Sequence, residues 1–138
     1  MEKPIHYKHD EVTKLNGRID LYVENNENIT IIDYKTTSLN RYKTYYEPDW
    51  FQWTFYASVL KKVDTYQNQK FLGKCWFVRT NSQIDIKLFN DDLDVFYNEI
   101  ISLCGEIQAN LKNKNMKPKV NKFCKWCFLF DKCPIYKK

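Results

Sequence analysis

Glycine and proline are scarce, three and four in 138 residues, which excludes a collagenous chain or a Gly/Pro-rich disordered one. Long apolar runs are missing too. The opening Met1-Glu2-Lys3-Pro4-Ile5-His6 has no apolar stretch of the secretory kind, and no window nears the roughly 18 uninterrupted apolar residues of a membrane span. The expectation is a chain with no membrane partner in a reducing compartment, cytoplasmic or, for a viral product, in the host cytoplasm. Arginine is confined to Arg18, Arg41 and Arg79. What is present is 43% hydrophobic and 28% charged, enough for one globular domain and too little for a motor or ligase module besides. A chain this long buries roughly two-thirds of its unfolded surface and needs no disulfide staples. The basic excess, 22 Lys+Arg against 17 Asp+Glu for a net +5, leans toward polyanionic partners without proving one. Aromatic residues, at 17%, either fill the core or offer stacking surfaces to bases.

Alternation around Leu15, Ile19, Leu21 and Val23 predicts a strand over residues 12–23. The turn-forming Glu24–Asn28 and the β-branched run Ile29–Lys35 make the next strand its hairpin partner, with Lys3–Lys8 a candidate strand before both. After a polar, tyrosine-rich loop over Thr36–Tyr46, Pro48 and Asp49 open a helix over Trp50–Lys62. Its Phe51, Phe55 and Val59 fall near one side. Two strands, Phe71–Thr80 and Gln83–Phe89, precede a long helix from Asp91-Asp92 to Lys112, in which Leu93, Phe96, Ile100, Leu103 and Ile107 recur at helical spacing. The fold class is therefore α/β in the α+β sense, read as a core over residues 1–116 and a cysteine-rich tail over 117–138 packed on it.

Chemistry concentrates in the hairpin. Asp33 and Lys35, two apart, leave the same face of their strand, and if the two strands pair, Asp20 meets Asp33 across the ladder. Close carboxylates repel unless a positive charge lies between them, and a hard divalent cation is the simplest candidate. In the tail, Cys124, Cys127 and Cys133 stand in a Cys-x₂-Cys-x₅-Cys run, which in a reducing compartment reads as metal or cluster ligation before disulfide. Cys75 and Cys104 read as small buried hydrophobes.

Gly17-Arg18-Ile19-Asp20, followed by Ile32-Asp33-Tyr34-Lys35-Thr36, resembles the active site of the PD-(D/E)xK nuclease superfamily. The glycine before Asp20 and the Gln52-x-x-x-Tyr56 pair on the following helix resemble its RecB-like branch, which includes CRISPR-associated exonucleases. The resemblance runs from about Gly17 to Cys133 and implies a restriction-endonuclease-like mixed central sheet flanked by helices. It implies Asp20, Asp33 and the Tyr34 carbonyl as ligands of Mg²⁺ or Mn²⁺, and Lys35 as the residue that positions or deprotonates a water. Gln52 would orient Lys35 or the nucleophile, and Tyr56 would contact a phosphate or base. Cys124, Cys127 and Cys133 resemble the last three cysteines of the iron–sulfur members of the branch, so a 4Fe–4S cluster or Zn²⁺ is implied there.

Fuller relatives begin with a helical region that bears a further metal ligand and the first cluster cysteine, whereas this chain starts almost at the catalytic sheet, with only His6, His9 and Glu11 nearby. Three thiolates fall one short of the usual four, so a cluster is expected only where a partner chain or a longer natural product donates the fourth ligand. The reading is a divalent-metal-dependent DNA exonuclease of replication, recombination or repair, with DNA and a helicase or recombination protein as partners. The alternative is an inactive nuclease-fold subunit that binds nucleic acid or serves assembly. A zinc module acting through its tail would leave the hairpin unexplained.

Overall fold

The computed structural model of the chain describes residues 2–40 and 51–136. The later part of the expected Thr36–Tyr46 loop and the helix start at Pro48–Trp50 lie outside the described residues. The chain divides into two compact units, Met1–Ser102 and Leu103–Lys138.

The first unit opens with an antiparallel hairpin of β1 (Lys3–Lys8) and β2 (Lys14–Ile19), Ile5 facing Gly17. Asp10 closes the turn by accepting the backbone N–H groups of Val12 and Thr13 at 2.8 and 2.6 Å, an Asx turn. Those bonds, Thr13's first, hold the Asp10 carboxyl below the usual carboxylate range. The chain bends at Asp20, and β3 (Leu21–Glu24) begins a second sheet, so the alternating run over residues 12–23 makes two strands rather than one. Asn25 turns the chain back by accepting the N–H groups of Glu27 and Asn28 at 3.0 and 2.8 Å, and β4 (Asn28–Lys35) returns beside β3.

β5 (Lys70–Phe77) and β6 (Ser82–Lys87) complete a sheet of order β3-β4-β5-β6, in which β4 and β5 are parallel and the other pairs antiparallel. This is a mixed α+β fold with a mixed central sheet, consistent with the restriction-endonuclease-like architecture. Parallel neighbours need a long crossover, and this one contains α1 (Phe51–Leu60).

Apolar residues ring α1, so spacing alone does not choose its inward face. The helix buries Trp53, Ala57, Ser58, Val59 and Leu60, while Phe51 is exposed. The inner side therefore runs through Trp53 rather than Phe51. A place for the indole exists because β5 has no side chain at Gly73, where a Cβ would lie 3.1 Å from Trp53 Cδ1 and 2.6 Å from Ile86 Cβ. The indole N–H donates to the Lys74 carbonyl at 3.2 Å. Inward-facing Ile29, Ile31, Phe71, Cys75 and Phe77 form the core beneath it.

α2 (Asn90–Lys112) begins with Asp91 and Asp92 in its first turn, where carboxylates oppose the positive end of the helix dipole. Leu93 and Tyr97 are its buried side chains. Lys61 and Lys62 each pair with Asp94 at 2.7 Å, and Phe96 meets Phe51 edge-on at 5.4 Å. In the second unit the stripe continues as Leu103 and Ile107, both exposed. Two short 3₁₀ turns follow, Cys124–Trp126 and Phe130–Lys132. No helix among the described residues is long and apolar enough to cross a membrane.

Candidate active site

Along β4 every second residue faces α1, so Ile29, Ile31 and Asp33 point into the same buried layer and Lys35 follows at the strand's carboxyl end. Asp33 is only 6% exposed. A carboxylate placed there needs partners, and two reach it. Gln52 of α1 donates its amide N–H to Asp33 Oδ1 at 2.6 Å, and Lys35 Nζ lies 2.6 Å from Asp33 Oδ2. Gln52 Oε1 accepts from Lys35 Nζ at 3.4 Å, so the carboxamide bridges the acid and the base of the same strand. Tyr56, one turn along α1, places its hydroxyl 3.5 Å from Gln52 Nε2. Asp33, Lys35, Gln52 and Tyr56 thus meet in one polar cluster at the end of β4.

Asp20 lies at the bend between β2 and β3. It precedes Leu21, which faces Ile32 at the end of the β3–β4 ladder. Its Oδ2 accepts the Tyr34 backbone N–H at 2.9 Å, which ties the bend before β3 to the end of β4. The Tyr34 side chain leaves by the opposite face and packs against Trp76, ring centres 5.7 Å apart.

Two residues near the cluster carried no physical reason in the sequence. At Gly17, a Cβ would lie 2.6 Å from Tyr56 Cε1 and 3.2 Å from Cδ1, so the missing side chain makes room for the Tyr56 ring. Trp53 places its ring 5.7 Å from Lys35 Nζ, within cation–π range. A glycine in a strand and a tryptophan beside Gln52 are visible in the sequence, but their contacts depend on which face of α1 turns inward.

Cys75 lies beside Asp33 in the parallel register and is fully buried. Burial first, and the Asp33 charge second, push its thiol up to about 11, with Lys35 opposing. It packs as a small apolar residue and is a poor nucleophile in that state. Cys104 is only half-buried on α2.

The three residues considered for a further ligand are occupied elsewhere. His6 Nδ1 bonds Asn16 at 2.9 Å, His9 Nδ1 bonds the Tyr97 hydroxyl at 2.7 Å, and Glu11 pairs with Lys8 at 2.6 Å.

The donors at the end of β4 are of the kind a hard cation takes, carboxylate oxygens, but Asp20 and Asp33 are two and belong to no three-residue His, Cys, Asp or Glu set among the described residues. Both Asp33 oxygens are engaged, Oδ1 by Gln52 and Oδ2 by Lys35, each at 2.6 Å, so a cation there would displace or share these partners, and Asp20 is tied to the same strand end through the Tyr34 N–H. Two carboxylates suit Mg²⁺, which keeps several of its waters. The tail does not fit in the same way. Cys124 and Cys133 both lie near the Tyr136 phenol, whose pKa is raised by desolvation, by a bond to Cys124 and by both sulfurs. Yet no three His, Cys, Asp or Glu side chains converge as a metal-sized set among the described residues. The three thiols therefore do not form the ligand set that a cluster or closed zinc site requires.

The family model for the PD-(D/E)XK nuclease superfamily matches residues 2–134. Neither the curated proteins nor the solved structures offer a match to the chain. With nearly its whole length covered by that model, the chain belongs to the PD-(D/E)XK nuclease superfamily.

Proposed function

We propose that the chain is a divalent-metal-dependent deoxyribonuclease that hydrolyses phosphodiester bonds from DNA ends, in the manner of the RecB-like branch, in replication, recombination or repair. The observation that carries this reading is the Gln52 bridge, with Nε2 on Asp33 Oδ1 and Oε1 facing Lys35 Nζ. A carboxamide with that double engagement holds a carboxylate and an ammonium at fixed positions, which is how enzymes prepare charge before a reaction.

Asp20, Asp33 and the Tyr34 carbonyl would hold Mg²⁺ or Mn²⁺. When bound, such an ion polarises a phosphoryl oxygen and acidifies a coordinated water. Asp33 supplies the buried carboxylate. Asp20, fixed through the Tyr34 N–H, supplies the second. Lys35 presents its ammonium to the negative charge that grows on the phosphoryl oxygens, with the Trp53 ring 5.7 Å from it. Tyr56 offers a hydroxyl to a phosphate or a ring face to a base.

The test is digestion of end-labelled DNA with Mg²⁺, Mn²⁺ and EDTA arms. Asp33→Ala should lower cleavage by on the order of 10³-fold or more, and Lys35→Ala by about 10²- to 10³-fold, while DNA binding in EDTA changes far less. Full cleavage in Asp33→Ala or in EDTA would refute the assignment. Internal cuts in closed circular DNA would refute the end-directed part alone.

A further inference from the structure

The basic excess of the chain lies in one place. Between Ile107 and Phe130 stand Lys112, Lys114, Lys117, Lys119, Lys122 and Lys125, with no acidic residue among them. These six lysines outweigh the net +5 of the whole chain, and all six are exposed. Interleaved with them are three rings in water: Phe123 is 60% exposed, Trp126 69% and Phe128 93%. Lys122 Nζ lies 5.2 Å from the Phe123 ring, and Lys125 Nζ lies 4.2 Å from the Trp126 ring.

The rings do not hang on a bare coil. Asn121 Oδ1 accepts the Phe123 N–H at 2.8 Å. The backbone closes two successive turns, Trp126 N–H to Phe123 O and Cys127 N–H to Cys124 O, each at 3.0 Å. Phe123 and Trp126 are presented 6.2 Å apart at 44°. Holding rings ready in this way reduces the ordering that binding must impose.

Charge and rings together narrow the partner. An acidic protein would answer the lysines and leave the rings without a role. An apolar groove would answer the rings and be opposed by the charges. Duplex DNA offers phosphates but keeps its bases stacked inside. A single strand offers both, a phosphate track for lysines and open base faces for rings. We propose that residues 112–128 bind single-stranded DNA, with the lysines along its phosphates and Phe123, Trp126 and Phe128 stacked on its bases. The proposal rests on the nuclease reading and adds the form of DNA that the chain holds.

Fluorescence anisotropy of the whole chain in EDTA, with a labelled thymidylate oligomer about 20 nucleotides long, tests it without hydrolysis. The single strand should bind tighter than a duplex of equal length. Phe128→Ala and Trp126→Ala should each weaken that binding by roughly 5- to 100-fold. Changing Lys117, Lys119, Lys122 and Lys125 together to Gln should flatten the dependence of log K on log salt by roughly 3, from roughly 0.7 per lysine. Phe128 is 93% exposed, so its alanine variant should keep the wild-type circular dichroism and speak for the ring alone. Ring variants that bind like wild type, duplex bound as tightly as single strand, or equal competition by polyglutamate would each overturn the proposal. A Mg²⁺ arm separates it from the reading beneath: hydrolysis kept while strand binding is absent refutes only the tail, and strand binding kept in a chain that never hydrolyses DNA refutes only the nuclease.

Discussion

Gly17 and Gln52 act on the cluster in different ways. A methyl group at position 17 would press on the Tyr56 ring at 2.6 Å and approach Phe55 Cε1 at 3.5 Å. Tyr56 is half-buried, so its ring can swing aside, and the loss should fall on geometry more than on stability. Gly17→Ala should therefore lower cleavage about tenfold or more and shift the thermal midpoint by no more than a few degrees, read by hydrolysis assay and calorimetry on one sample. Gln52→Glu tests the bridge. It sets a second carboxylate against Asp33 Oδ1, now 2.6 Å from Nε2, and adjacent carboxylates raise the pKa of one of them. Cleavage at neutral pH should drop by about 10²-fold. As the pH falls and the introduced carboxylate takes up a proton, it can donate to Asp33 as the amide did, so part of the loss should return. A pH–rate profile parallel to wild type would show that Gln52 does not hold Asp33 in this way.

Elements show where the sequence was readable and where it was not. Strand alternation located β4 and the face shared by Asp33 and Lys35, because period two belongs to the strand itself. It did not show the break at Asp20, where the carboxylate accepts the distant Tyr34 N–H. The four-residue spacing of Gln52 and Tyr56 placed them on one side of α1. The inward turn of Trp53 depended on Gly73 and Ile86 in strands later in the chain, and no local pattern records that. On α2 the apolar spacing continued past the core, so Leu103 and Ile107 matched the pattern yet lie exposed. The contact between the turn after α1 and α2 makes a prediction. Hydrogen bonds from Lys61, then Lys62, hold the Asp94 carboxyl below its ordinary range. A depressed carboxyl stabilises the fold above the unfolded value near 3.9, and that contribution disappears as pH falls through the folded value. With its side chain 46% exposed, the pair is worth only about 0.5–1 kcal/mol. Asp94→Asn should lower the midpoint by roughly 2–4 °C at pH 7 and by progressively less as the pH is taken down through the folded value. An equal loss across that range would mean that packing, and not charge, is what Asp94 supplies.

For the whole molecule, the buried side chains of the described residues lie between Ile5 and Tyr97, so the cluster and the core belong to the same folding unit. Asp33 sits in the layer of Ile29, Ile31 and Cys75, and anything that binds it binds the native state and not the unfolded chain. A cation held by Asp20 and Asp33 should therefore raise global stability by mass action. At ten times its Kd the gain is about 1.4 kcal/mol, or roughly 3–7 °C in Tm for a domain of this size. The rise should follow the logarithm of Mg²⁺ concentration once the site is filled, and calorimetry reads it without substrate. Asp33→Asn retains the shape of the side chain and removes the charge. In that variant the Mg²⁺-dependent rise should vanish, and the midpoint in EDTA should itself fall, since Lys35 loses the carboxylate it pairs with. Alanine substitution of all three tail cysteines should leave the Mg²⁺ response intact, because Cys124, Cys127 and Cys133 do not converge as a ligand set. A response lost with the thiols but kept in Asp33→Asn would place the ion in the tail, and the cluster at the end of β4 would then be an ion-paired support for the helix above it.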